Sequence, residues 1–433
     1  MKITSIFNPL LTLLKGPLFA QAGVYMVVGF VGPLLGFLFM PLFTRVLSPE
    51  DYGLASMFFV LCGILASFVG INTHGAVARK YIEKESVDFP LYLSNCIFIL
   101  FISSVIASFF IWFFHNQIAI YTHFPASWLW LAVLFAVGQH LIRLLQTLFQ
   151  MQQKPFRYAT VSLLATVSSV LLSLFLVVGL GMDWRGRIVS KAIPIVFLSF
   201  GVILFFLKTG YLKFKLNKKY IKHALNFGVP LIPHALGMYL ISITDRLLIV
   251  NMVGLKDLGI YSVGAQVGMI VGMCQSGFSQ AWIPVFYKKL KQNSVTTNRK
   301  VVKFIYLYDT ILLLGALGFG LLCIPLFKYV LGDRFSGAGI YVVWIMVGYA
   351  FNGMYKMSGG FLFYAEKTKY LPFITAFTAI VNVIFSYWLI KMNGSIGAAQ
   401  GTMLAYLISF ILTASIAGKV YKMPWKLWKK NIT

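Results

Sequence analysis

The sequence predicts an all-α polytopic membrane protein of about twelve transmembrane helices, in two six-helix lobes related by a parallel internal repeat. Three observations carry this. Hydrophobic residues make up 59% of the 433 residues and charged residues 11%, with a mean hydropathy of +0.83; a soluble globular protein is nearer half apolar and a quarter charged. Apolar runs of about 18 or more residues, each long enough to span a bilayer, recur along the chain. Finally, Asp51-Tyr52-Gly53-Leu54-Ala55-Ser56 is echoed by Asp257-Leu258-Gly259-Ile260-Tyr261-Ser262, at an offset of 206. Tyr81 maps to Tyr287 at the same offset, Gln139, Arg143 and Lys154 to Asn352, Lys356 and Lys367 at 213, Arg157-Tyr158 to Lys369-Tyr370 at 212, and Gly186 to Gly397 at 211. Small loop insertions in a duplicated unit produce such a drift, and a repeat of this period sets the architecture.

In chain order the spans are expected at 18–42, 54–75, 90–113, 128–149, 159–181 and 187–207, then at 228–251, 261–285, 304–330, 341–364, 371–391 and 396–418. The first lobe is thus 1–207, a basic connector 208–227, the second lobe 228–418 and a basic tail 419–433. Residues 1–17 show no cleavable signal peptide and are expected along the cytoplasmic surface. Span 1 holds Gly29, Gly32, Gly36 and Pro33, and Pro230 and Pro233 adjoin the start of span 7; the first span of each lobe is therefore a candidate for a kinked or broken helix. Span 2 opens at Ser48-Pro49-Glu50-Asp51, with Ser as N-cap, Pro at the first helical position and acids in the first turn. On span 8, Gly264, Gly268 and Gly272 form a small-xxx-small ridge, suited to close helix packing or to a sliding contact between lobes.

Orientation follows from the basic residues. Of the 37 Lys and Arg, 26 lie at the termini and in the even-numbered loops, and 8 (Arg45, Arg185, Arg187, Lys191, Lys256, Lys328, Arg334 and Lys391) on the opposite side and its span ends. Arg143, Arg246 and Lys356 lie within spans. The bias puts both termini in the cytoplasm. It also accounts, with anionic lipid, for the net charge of +26. The hydropathy excludes a soluble nucleic-acid binder.

No nucleophile elbow, metal-spaced cluster or phosphate loop occurs, and no polar stretch exceeds about twenty residues, so neither an enzyme nor a cofactor or metal site is expected. Cys62, Cys96, Cys274 and Cys323 all lie in apolar runs and read as small buried hydrophobes; the six histidines are scattered. Of the 11 acids only Asp245 and Asp309 lie inside spans, which makes them the candidates for ion coupling. The remaining in-span charge is cationic, and charge in a membrane faces a water-filled cavity or a partner. That balance suits an anionic substrate bound through charge-assisted contacts to phosphate. Span 4 carries Gln139, Arg143, Gln146 and Gln150 on one helix face. Span 10 carries Tyr349, Asn352, Lys356 and Gly359 at the same rhythm. The stripes either line a cavity or pack within a lobe with the cations reaching for the cytoplasm. The candidate substrate-binding residues are Arg143, Lys356, Arg246, Gln139, Asn352 and Gln146.

At Thr244-Asp245-Arg246-Leu247, Gly254 and Asp257-x-Gly259-x-Tyr261, and at Thr44-Arg45-x-Leu47-x-Pro49-x-Asp51-Tyr52-Gly53, the sequence resembles the Wzx-type oligosaccharide flippases of the multidrug/oligosaccharidyl-lipid/polysaccharide exporter superfamily. The resemblance covers the whole chain. It implies a V-shaped pair of six-helix bundles around a central cavity in the bacterial cytoplasmic (inner) membrane. It further implies alternating-access movement of an undecaprenyl-diphosphate-linked oligosaccharide to the periplasmic leaflet, for O-antigen (lipopolysaccharide) or capsule biosynthesis. Membrane lipids, a polysaccharide polymerase and a chain-length regulator are the partners this implies. It transfers no substrate residues; those named above rest on charge and spacing. The alternatives are an ion-coupled exporter of cationic drugs, which wants a cavity carboxylate that the first lobe lacks; a polysaccharide polymerase, which wants a large outer loop; and a peptidoglycan-precursor flippase, which wants two further spans.

Overall fold

The computed structural model describes residues 17–425 except 293 and 368; the expected surface-lying segment 1–16 and the lysines beyond 425 fall outside the described residues. Every regular element described is helical. They are α1 (Pro17–Leu38), α2 (Met40–Val46), α3 (Pro49–Phe68), α4 (Thr73–Ile82), α5 (Phe89–Thr122), α6 (Leu129–Met151), α7 (Pro155–Ser173), α8 (Trp184–Lys208), α9 (Lys218–Gly228), α10 (Leu231–Met252), α11 (Leu255–Gln292), α12 (Val295–Val330), α13 (Gly339–Tyr364), α14 (Tyr370–Asn393) and α15 (Ile396–Val420), with short 3-10 and π turns between some of them. Among the described residues eleven helical stretches are long and apolar enough to cross a membrane, and α10, of 22 residues, stands where the seventh span is expected. At 34, 38 and 36 residues, α5, α11 and α12 run about 50–57 Å at 1.5 Å per residue. The hydrocarbon core is about 30 Å thick, so each is longer than one upright crossing requires.

By its packing the chain divides into two units, Met1–Asn251 and Met252–Thr433. Helix α10, which opens the second copy of the repeat, packs with the first unit. Its Tyr239 ring covers Gly63, its Arg246 Nε–H donates to Ser56 Oγ at 3.1 Å, and its Asn251 Nδ2–H donates to the Tyr121 carbonyl at 2.8 Å.

The repeat is visible in hydrogen bonds. Ser48 and Asp51 form a full capping box at the start of α3, and the spare oxygen of Asp51 accepts from the Trp184 N–H, where α8 begins, at 3.4 Å. In the second unit Asp257, in the first turn of α11, accepts from the Ser395 hydroxyl at the start of α15, at 2.8 Å. Trp184 and Ser395 are 211 residues apart, the sequence offset of that region. In each copy, then, the duplicated aspartate ties the start of the second span to the start of the sixth.

The expected second span is interrupted. α3 stops at Phe68, and Gly70, Ile71 and Asn72 all take positive φ, at 77°, 46° and 51°, before α4 begins. The Gly70 N–H donates to Ser103 Oγ at 2.8 Å, and Thr73 Oγ1 bonds His140 Nε2 at 2.9 Å. The glycine ridge of α11 packs against α13 inside the second unit. Added Cβ atoms would lie 2.7 Å from the Ala338 carbonyl, just ahead of α13, for Gly264, 2.8 Å from Ile345 Cβ for Gly268 and 2.6 Å from Tyr349 Cδ1 for Gly272. The ridge therefore serves close helix packing. Cys62, Cys96 and Cys323 are buried as expected, but Cys274 is exposed, because it falls on a face of α11 that the ridge does not use.

The basic connector is a docked strap. Residues 211–217 run without regular structure along the start of α5, then enter α9. Ser94 Oγ accepts from the Lys213 N–H at 2.7 Å and donates to the Tyr211 carbonyl at 3.2 Å. Asn95 accepts from the Asn217 N–H at 2.9 Å and donates to the Lys215 carbonyl at 3.2 Å. Lys213 pairs with Asp88 at 2.8 Å, and Tyr92 OH bonds His223 Nδ1 at 2.9 Å.

Candidate functional site

Two helices carry the polar stripes that the sequence singles out. In α6, every residue from 138 to 150 is buried except Gln139, Arg143, Gln146 and Gln150. Leu141, Leu144, Leu145, Leu148 and Phe149 fill the core around them. The helix thus packs on all sides but one, and that side is amide and guanidinium rather than hydrocarbon. Arg143 acts electrostatically on His74 and His140, whose rings stand 5.9 Å apart, edge to face. The sequence scatters these histidines; the left-handed turn at 70–72 brings them together.

In α13, the unburied positions between 345 and 362 are Tyr349, Phe351, Asn352, Tyr355 and Lys356. Lys356 is exposed, and its Nζ donates to Ser276 Oγ of α11 at 3.0 Å. It lines a cavity of about 150 Å³ with Ser279, Trp282, Tyr287 and Tyr355 among the walls. One turn earlier Asn352 accepts from Gln275 Nε2 at 3.3 Å. Gln275 is 2% exposed, yet its Oε1, the Ser279 hydroxyl, the Tyr308 hydroxyl and one oxygen of Asp309 lack a hydrogen-bond partner among the described residues. Tyr308 OH and Gln275 Cβ each lie 3.4 Å from where a Cβ on Gly353 would stand. Buried polar groups are ordinarily paired, so this seam across α11, α12 and α13 has hydrogen-bonding capacity left for a polar guest.

The other candidates stand apart from these stripes. Arg246 is half-buried on α10 and held by Ser56; Asp245 beside it is 1% exposed and by packing belongs to the first unit. The absence of an acid from the first lobe, read from the repeat, therefore does not describe the packed unit.

Sequence reasoning passes over Ser276, Ser279, Gln275 and Trp282, which become site residues only through the fold. It also passes over Arg187 and Lys191, counted with the outer loops, although their i,i+4 spacing at the start of a span is a signal.

The family described as polysaccharide biosynthesis protein matches residues 18–290. The chain belongs to that family. This polysaccharide biosynthesis protein is 25% identical over 375 residues to the Lsg locus protein 1 of Haemophilus influenzae, covering 84% of this chain and 89% of that one. In fold it is similar to the lipid II flippase MurJ in an inward closed conformation, with a TM-score of 0.74, 16% identity and coverage of 93% and 88% of the two chains. It is also similar to an inward-facing multidrug resistance MATE family transporter of the MOP superfamily, with a TM-score of 0.67, 14% identity and coverage of 94% and 100%. The fold is one that flippases and transporters share, and the protein is a multi-pass membrane protein.

Proposed function

We propose that the protein moves undecaprenyl-diphosphate-linked oligosaccharide repeat units from the cytoplasmic to the periplasmic leaflet of the bacterial cytoplasmic membrane, by alternating access, for O-antigen or capsule assembly. The observation that carries this reading is the stripe of α6. A helix packed on every side but one, with Gln139, Arg143, Gln146 and Gln150 on the open side, needs water or an anionic, hydroxyl-rich guest there rather than lipid. Arg143 and Lys356 each offer a cation to the diphosphate, and Arg246 a third. Gln139, Gln146 and Asn352 offer amides to sugar hydroxyls, while the prenyl tail stays in the bilayer. Asp245 and Asp309 are the coupling candidates. The lobes 1–207 and 228–418 act as the two copies, both termini are cytoplasmic, and a polymerase and chain-length regulator receive the product. A second reading, an ion-coupled multidrug exporter, draws support from Asp245 in the first unit.

Deleting the gene separates the two. The flippase reading expects loss of surface polysaccharide with unchanged tolerance of cationic dyes. Normal polysaccharide with heightened dye sensitivity would replace it by the exporter reading.

A further inference from the structure

We propose that Arg187 and Lys191, one turn apart on α8, form a second anion site inside the first unit, for a phosphate or diphosphate group. The Arg187 guanidinium lies 4.0 Å from the Phe43 ring centroid and 5.6 Å from that of Tyr52, and Lys191 Nζ lies 4.3 Å from that of Phe59. Both are half-buried, and neither has a carboxylate within 4 Å among the described residues. Asp51, at the same end of the unit, is engaged by Ser48 and by the Trp184 N–H. Two like charges one turn apart repel, and a cation drawn out of water without a counter-ion is a net cost that packing alone does not repay.

The aromatic rings answer part of that cost, and they do so in a way that leaves donors open. A cation over a ring face is held through the π surface, which accepts no more than part of its N–H donors. Arg187 gives one N–H to Ser173 Oγ at 3.4 Å and has four further donors in its fork; the Lys191 ammonium has three. A fork beside an ammonium, on one helix face and backed by aromatic carbon, is suited to a tetrahedral oxyanion.

Position adds to chemistry. Ile195 of α8 packs against Gly138 of α6, and the two helices run the same way because one span, α7, lies between them. At 1.5 Å per residue, Lys191 lies about 14 Å and Arg187 about 20 Å along the axis from the level of Arg143, with Gln139 about 8 Å short of Lys191. By level along the two helices the order is Arg143, Gln139, Lys191 and Arg187. Where the anion is the substrate's diphosphate, this rests on the flippase reading and makes the pair its release-side subsite.

The test uses the full chain purified in detergent, with binding read from thermal unfolding during titration. The probes are farnesyl diphosphate, a soluble prenyl diphosphate, and inorganic pyrophosphate. Lys191→Met should raise the Tm of the unliganded protein, since it removes an uncompensated charge, and weaken probe binding about tenfold. Arg187→Gln/Lys191→Met should weaken it further, and Lys191→Arg should restore it.

Wild-type binding of farnesyl diphosphate, lost in the double variant, supports both the site and the flippase reading. Wild-type binding of pyrophosphate alone, lost in the double variant, supports a free-anion site and counts against the flippase reading. Binding lost with Arg143→Gln but equal in wild type and double variant overturns the second site and spares the flippase reading. No binding of either probe to the wild type overturns it as well.

Discussion

Replacing Asn95 by leucine should release the connector without disturbing the spans. Asn95 is 1% exposed and makes three hydrogen bonds. Nδ2–H donates to the Leu91 carbonyl of its own helix at 2.7 Å, and the other two go to Lys215 and Asn217 of the strap. Asn217 is also the N-cap of α9, with its side chain accepting from Lys219 and Tyr220, so its backbone fixes where that helix starts. Leucine fills the space of Asn95 and deletes both strap bonds. At about 1 kcal/mol net for each neutral hydrogen bond, the strap loses about 2 kcal/mol against local opening. The open population then rises about thirtyfold at a factor of ten per 1.4 kcal/mol. Lys213, Lys215, Lys218, Lys219 and Lys222 are trypsin sites on the strap and α9, and cleavage of a transiently open segment follows that population when reclosing is fast. Trypsin should therefore nick the Asn95→Leu protein in detergent between 213 and 222 some ten to thirty times faster than wild type. Asp88→Asn should change the rate fivefold at most, because the Asp88 and Lys213 side chains are 39% and 48% exposed and an ion pair that open contributes about 0–1 kcal/mol. Equal rates for wild type and Asn95→Leu, or a larger effect from Asp88→Asn, would refute the docked strap.

Three further outcomes are expected. Arg143→Gln and Lys356→Gln should each lower surface polysaccharide in a complemented deletion strain at unchanged membrane levels, whereas Arg143→Lys and Lys356→Arg keep much of it; normal polysaccharide from the double Gln variant would remove both from the site. Gly268→Leu should lower the Tm, since even a Cβ there comes within 2.8 Å of Ile345 Cβ and overpacking costs about 1–3 kcal/mol. Gly318→Ala, with nothing within 4 Å, should raise it through a helix-propensity gain of about 0.5–1 kcal/mol. The strap should loosen in acid. Burial, then the neighbouring Lys80, holds the His223 imidazole below its usual value, so the stability carried by its neutral form is complete above about pH 6.5 and falls as pH drops through the lowered value. The Lys213 hydrogen bond keeps Asp88 below its own usual value, so that contact fails only at still lower pH. Hydrogen exchange of 211–223, corrected for the intrinsic rate, should be flat from pH 8 to 6.5 and rise below; a flat profile to pH 5 would exclude His223.

What the sequence showed, and what it hid, follows from range. The α6 stripe was legible because Gln139, Arg143, Gln146 and Gln150 keep one helical period, a local property that the fold preserves. The duplicated aspartates were legible as a repeat, but their use was not, since Trp184 and Ser395 lie well over a hundred residues beyond them. The strap looked like loose basic linker for the same reason: an aperiodic run of lysines gives no hint that Ser94 and Asn95 wait for its backbone. Arg187 and Lys191 were hidden by charge counting, which assigns a cation near a span end to the adjacent loop. Cys274 was misread because an apolar run does not say which face of its helix is covered.

The membership of α10 in the first unit has a consequence for how the protein is made. Chains enter the membrane from the N-terminus, and units close as their last element arrives. After six spans have left the ribosome, Gly63, Ser56 and the Tyr121 carbonyl still await Tyr239, Arg246 and Asn251. These contacts of the first unit form only after residue 251 emerges. A gene severed within 208–227 would thus strand α10 on the wrong fragment. One severed at Val253-Gly254, where Gly254 turns the chain at a φ of 136°, would keep α10 with the first unit, and co-expressed halves should recover export only with the later cut.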